Sequence, residues 1–203
     1  MARTDTATRT PTSAAASTAI PRPRRADARR NYDKLIAAAR EAFATDGTAT
    51  SLEDIARRAD VGIGTLYRNF PTRQHLLEAV YIEELEAIAQ RAQELSDLPP
   101  WDALTTWLRE YVGFSATKRL VAEELVDYRS DNPVFASCRR DLHDAGDWLV
   151  ARAQASGVVR PDANFVEIVR MVSGIAAIKT DDPGEIDRIL GIALDGLRYR
   201  PGA

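Results

Sequence analysis

One cysteine and two histidines are all that this chain of 203 residues offers to thiolate or imidazole chemistry. Cys138, standing alone, excludes a disulfide framework and a thiolate metal cluster, and such sparing use suits a cytoplasmic protein. His75 and His143 have no motif around them, and His143 and Cys138, five residues apart on one expected helix, do not face each other. No apolar run approaches the roughly 18 residues of a membrane span, because Arg170 interrupts the most apolar stretch, NFVEIVRMVSGIAAI. The N-terminus lacks the continuous apolar core of a signal peptide. Strand-like alternation and repeats of fixed period are missing too. The turn GIGT lacks the strand-before, helix-after context of a nucleotide loop, and the spacing of Asp141, Asp144 and Asp147 suits a solvated helix face. These absences argue against an enzyme. No catalytic residue, metal ligand or cofactor is assigned.

What is present is an ordinary globular composition, 45% apolar and 28% charged, with charge placed unevenly. Residues 1–30 hold seven arginines against two aspartates, residues 31–73 balance at six of each sign, and the remainder carries 14 basic and 22 acidic side chains. An acidic body with a basic N-terminal end suggests a polyanionic partner at that end. Residues 1–28 are low in complexity, 15 of the first 20 being Ala, Thr, Ser or Pro. Such a segment buries too little apolar surface to offset chain entropy, so a disordered basic arm is expected there.

From Asn31 the pattern turns helical and stays so, giving an all-α fold. Leu35, Ala39, Ala42 and Phe43 share one face before Gly47, and Leu52, Ile55, Ala56 and Ala59 share another behind a Ser51/Asp54 cap. A third helix is expected from Ile63 to Phe70, ended by Pro71, and Thr72 caps a long fourth reaching about Leu95. Further helices are expected from Trp101, then over about 119–129, 133–156, 163–179 and 184–199, separated by Pro, Gly and Asn/Asp breaks.

Residues 51–70, SLEDIARRADVGIGTLYRNF, read as two short helices around a tight turn, a helix-turn-helix. In such a motif the second helix can lie in the major groove of DNA. Leu66 and Phe70 fall on the core side with Val61, while Gly64 and Arg68 fall opposite, flanked by Thr65 and Tyr67. Glycine costs a helix about 1 kcal/mol against alanine. The bare start at Gly62 and Gly64 is explained if free helix N–H groups must approach phosphate oxygens.

The span SLEDIARRADVGIGTLYRNFPTRQHLLEAV, with AAAREAFATDG before it, closely resembles the DNA-binding domain of the TetR family of transcriptional regulators. The resemblance covers about 31–80 and implies a DNA-binding domain over 29–80, followed by a helical effector-binding and dimerisation domain over 81–203. It implies a ligand-responsive repressor that binds a palindromic double-stranded DNA operator as a homodimer. The alternative is a constitutive DNA-binding or architectural protein without an effector. Carried over by position, Thr65 and Tyr67 match contacts to the DNA backbone or groove edge, Asn69 stands at a phosphate-contacting position where histidine or tyrosine is common, and Ile63 and Arg68 match base-reading positions. Gly64 stands among them, while Arg73 and either Thr50 or Ser51 match phosphate contacts. Asp60 stands where glycine is common in the turn, and aspartate tolerates the left-handed conformation needed there.

Beyond residue 80 the resemblance is architectural, with ATKRLVAEEL similar to an SbtR-like subgroup. Ile186, Ile189, Leu190, Ala193, Leu194 and Leu197 form an apolar stripe on the last helix. With the preceding helix, apolar on nearly every side, the resemblance implies a four-helix dimer interface there. Trp107, Tyr111, Phe114 and Trp148 are the candidates for lining a small-molecule pocket, with Glu123, Glu124 or Asp127 near in sequence. Aromatics beside carboxylates would suit an apolar or cationic effector.

Overall fold

The computed structural model describes residues 22–124, 133–182 and 184–199. Among them the chain forms α1 (Ala26–Asp46), α2 (Leu52–Arg58), α3 (Ile63–Asn69), α4 (Arg73–Glu94), α5 (Pro100–Glu124), α6 (Pro133–Ala155), α7 (Phe165–Ala176) and α8 (Glu185–Asp195). A single 3-10 turn, Gly47–Ala49, follows α1. Extended pairing among the described residues amounts to one isolated antiparallel bridge, Val159 with Arg198, which ties the chain after α6 to the chain after α8.

Local chemistry sets most of these boundaries. Gly47, at φ 58°, takes the left-handed conformation that ends α1. Ser51 accepts a hydrogen bond from the Asp54 N–H, Thr72 from that of His75, and Asn164 joins Glu167 in a full capping box at α7. Two boundaries differ from expectation. α1 starts five residues before Asn31, because Ala26–Asp27–Ala28 is helix-compatible and Arg22 folds back onto Asp33 at 2.6 Å. Residues 22–28 of the expected disordered arm are thus described as structure, while 1–21 lie outside the described residues. The separate helix expected near 119 is, as far as it is described, the unbroken end of α5; residues 125–132 lie outside.

Two hydrophobic cores share one helix. The first gathers Leu35, Ala39 and Phe43 of α1, Ile55 of α2, Leu66 and Phe70 around α3, and Leu76, Leu77 and Val80 of α4. The second takes α4 onward from Tyr81, through Leu85, Ile88 and Ala92, and packs it with α5 to α8. Each fully buried Leu or Phe contributes about 1.5–3 kcal/mol, so α4 is held firmly at both ends. α6 and α7 approach so closely that a Cβ at Gly146 would run into the Phe165 ring.

Candidate nucleic-acid interface

The recognition unit is α2, the turn at 59–62, and α3. Leu66 and Phe70 are fully buried, with Phe70 against the Tyr32 ring at 5.2 Å between centroids. That fixes the rotation of α3. Its outer face then presents Ile63, Gly64, Tyr67 and Arg68, with Ile63 39% and Tyr67 44% exposed. Arg68 donates to the Thr65 hydroxyl at 2.8 Å, and the Asn69 amide donates to the Thr65 carbonyl at 2.8 Å.

The turn and the helix start have the chemistry expected of them. Asp60 sits at φ 52°, the one non-glycine residue with positive φ among those described. Gly62 is the N-cap of α3 and offers no side-chain cap, so the first N–H groups of the helix remain open. A Cβ at Gly62 or Gly64 would meet nothing within 4 Å. Internal packing therefore does not require glycine at either position.

Two other candidate contacts are engaged within the protein. Thr50 is buried, and its hydroxyl donates to the Ala42 carbonyl at 3.1 Å. The Arg73 guanidinium donates to the Thr50 carbonyl and lies 5.0 Å from the Phe43 ring centroid. Arg73 thereby clamps the first residue of α4 to the end of α1 and to the chain entering α2. Ser51, half-buried, donates to an Asp54 carboxylate oxygen at 2.9 Å besides capping α2. The Arg57 guanidinium, 2.5 Å from Asp54, joins Ser51 in holding that carboxyl below the usual carboxylate range. Arg57 is an exposed cation of α2 that the motif-based reading passed over.

Comparison with known proteins agrees with this geometry. Residues 35–80 match the model of bacterial regulatory proteins of the tetR family, and 99–199 match the SbtR-like transcriptional regulator C-terminal domain. A TetR transcriptional regulator of Streptomyces coelicolor superposes with TM-score 0.72 at 35% identity, covering 83% of this chain and 98% of that one. The chain belongs to the TetR family. It is a helix-turn-helix transcription regulator, in a family of regulators rather than of enzymes. A second TetR protein, from Mycobacterium vanbaalenii, aligns at 31% identity and TM-score 0.68, over 87% of this chain and all of that one. The transcriptional repressor KstR of Rhodococcus jostii is 28% identical over 154 residues, 73% of this chain and 71% of its own length. No helix among the described residues is long and apolar enough to cross a membrane.

In this TetR chain the four pocket candidates do not converge. Trp107, Tyr111 and Phe114 are buried in one aromatic cluster, with centroids 5.7 Å apart for Trp107–Tyr111 and 5.4 Å for Tyr111–Phe114. The Trp107 indole N–H donates to the Ile88 carbonyl at 2.7 Å, bolting α5 to α4. Trp148 lies elsewhere, 43% exposed, in a groove between α4 and α6 of about 770 Å³. A second groove of about 560 Å³ runs between α1, α4 and α5, and the Arg40–Glu84 pair at 3.2 Å joins two of its lining residues. Phe114 reaches this second groove. Glu123, Glu124 and Asp127 fall outside the described side chains.

The expected interface stripe on α8 is mostly internal. Leu190, Leu194 and Leu197 are buried in the second core, and Ile186, Ile189 and Ala193 pack against it. On the side of α8 turned from that core Ile192 is 75% exposed; Val166 on α7, Ile178 after α7 and Tyr199 after α8 are exposed at 39%, 41% and 45%. Ile192 was legible as an isoleucine standing outside the stripe, about 200° around the helix from Leu190.

Proposed function

We propose that this protein is a one-component repressor that binds a palindromic operator as a homodimer and leaves it when a small molecule binds the region beyond residue 80. The observation that supports it best is the outward face of α3, bare at its start and carrying Ile63, Tyr67 and Arg68 over a fully buried Leu66 and Phe70. In this reading the free N–H groups at Gly62–Gly64 and the side chains of Ser51, Thr65, Tyr67 and Asn69 fix the duplex backbone, and Ile63 and Arg68 read base edges. Arg73 positions the unit rather than meeting phosphate, given its two internal partners.

Dimerisation is assigned to the outer faces of α7 and α8. Ile192 at 75% exposure is the large hydrophobic side chain most poorly accounted for by the single chain. Two copies pairing through these faces would set two recognition helices about one turn of DNA apart, about 34–36 Å, or a multiple of it. The names of relatives such as KstR, a transcriptional repressor, support repression as the sign of regulation. The close packing of Trp107, Tyr111 and Phe114 favours the rival reading, a constitutive binder; the two grooves beside α4 favour the effector reading.

The test is selection of DNA from a random pool by the purified protein, followed by affinity measurement on the selected site and on scrambled duplex. A palindromic site bound at least about 10³-fold more tightly than random DNA at physiological salt is the expected result. Equal binding to both would remove the operator reading. A selected site that no compound in a broad screen releases would leave the constitutive binder.

A further inference from the structure

The groove between α4 and α6 is lined by neither α3 nor the outer faces of α7 and α8, and its chemistry is specific. Ala92 of α4 and Ala145 of α6 contribute small apolar walls. Asp141, Asp144 and Trp148 come from α6, spaced so that they share one face of that helix. Neither carboxylate has an ion-pair partner among the described residues, and the groove's lining contains no basic residue. Trp148 is 43% exposed, whereas Trp107 is completely buried. The Trp148 ring already attracts one cation: the Arg152 guanidinium lies 5.7 Å from its centroid, tethered by a 2.7 Å hydrogen bond to the Leu98 carbonyl.

Charge and surface together select the occupant. An anion would face two unneutralised carboxylates. A neutral apolar molecule would strip water from them and return nothing. A bare metal ion would leave the indole and the alanine walls unused, and no cluster of three or more metal-binding side chains occurs among the described residues. A cation with an apolar body uses every part, the charge on the carboxylates and the body on the indole and alanines.

We infer that this groove binds an organic cation with an apolar body, held by the Trp148 indole and the carboxylates of Asp141 and Asp144. Occupation wedges α4 from α6. α4 also carries Leu76, Leu77 and Val80 of the first core, so its displacement is felt by the recognition unit and operator affinity falls. This second step rests on the ligand-responsive reading above; the binding itself does not.

The probe is tetraphenylphosphonium, with tetraphenylborate as its counterpart of the same shape and opposite charge. Calorimetry on the full chain without DNA is expected to give one phosphonium site per chain and at least about tenfold weaker borate binding. Asp141→Asn with Asp144→Asn, and separately Trp148→Leu, should each weaken the phosphonium by about tenfold or more while circular dichroism stays unchanged. No phosphonium binding at about millimolar concentration, equal borate binding, or full affinity in the variants would each overturn the site. Operator release is then read by fluorescence anisotropy. Release from the wild type but not from Trp148→Leu supports the coupling, and phosphonium binding without release refutes it while the site stands. Should the site fail and another compound still release operator, the groove falls and ligand-responsive repression survives.

Discussion

Arg68 and Arg73 are both arginines of the helix-turn-helix region, five positions apart, yet their surroundings differ. Arg68 is exposed on the outer face of α3, where a guanidinium can meet two acceptors on a guanine edge. Arg68→Ala is expected to relax preference at one or two base pairs per half-site, costing about 1–3 kcal/mol on the selected operator. Arg73 holds the Thr50 carbonyl and covers the Phe43 ring. Arg73→Ala should therefore weaken binding to every duplex while leaving the slope of affinity against salt unchanged, since no counterion-releasing contact is removed. A slope reduced by about one per half-site would return Arg73 to the phosphate. Thr50 follows the same logic, its buried hydroxyl serving the Ala42 carbonyl. The motif singles out these side chains by position alone. It could not show that Thr50 and Arg73 turn inward, because that depends on how Ala42 and Phe43 at the end of α1 pack against them.

Within single elements, the start of α3 and the last helix allow stability and function to be separated. Gly64→Ala places a methyl group in open space inside a helix, so it should stabilise the fold by about 1 kcal/mol. If the bare surface serves DNA, the same variant should lose operator affinity. Chemical denaturation and DNA titration on one sample check both, and gain in each would show that glycine has no role at the interface. On α8 the expected effects divide by face. Leu190→Glu or Leu194→Glu buries a charge in the chain's own core and should cost about 3 kcal/mol or more, yielding unfolded or aggregated protein rather than a clean monomer. Ile192→Glu, on the open face, should give a folded monomer with weakened operator binding. Light scattering that shows an unchanged dimer for Ile192→Glu would move the interface away from α8.

At the scale of the whole molecule, α4 joins the two cores, and its middle is where titration should be felt. Tyr32, packed on the first core, and Tyr81, on α4 in the second, are both pushed up to about 12, mainly by burial. A folded pKa raised above the ordinary value near 10 means the protonated phenol stabilises the fold. That contribution is whole below about pH 10 and is lost as pH rises through about 12. Unfolding free energy should thus fall steeply between these limits, by up to about 3 kcal/mol for each tyrosine. Tyr81→Phe should flatten its share, as urea titrations at pH 8 and pH 11 would record. An alkaline decline identical in the variant would place its cause elsewhere. Nearby, burial raises the Glu83 carboxyl while Arg22, 3.9 Å away, opposes the shift. One end of the basic N-terminal stretch is thereby held on α4, beside the second core.

The sequence by itself determined the all-α class, the caps at Ser51 and Thr72, the left-handed turn at Asp60, and the helix-turn-helix with Leu66 and Phe70 inward. The turn at Asp60 is what the family resemblance implies; the others follow from periodicity and capping preference acting over a few residues, and no distant neighbour is needed to decide them. Only the tertiary structure decided what each face meets. The apolar stripe of α8 announced that one side would be covered; whether its own chain or a second copy covers it depends on where α5 and α7 lie. Trp107, Tyr111 and Phe114 had the spacing to line a cavity, yet they close on one another because Tyr81, Phe135 and Phe165 fill the remaining space. Of the two grooves beside α4, the one toward α6 pairs Ala92 with Asp144 and Trp148. These residues lie about fifty positions apart, and helix packing, which periodicity does not encode, brings them together.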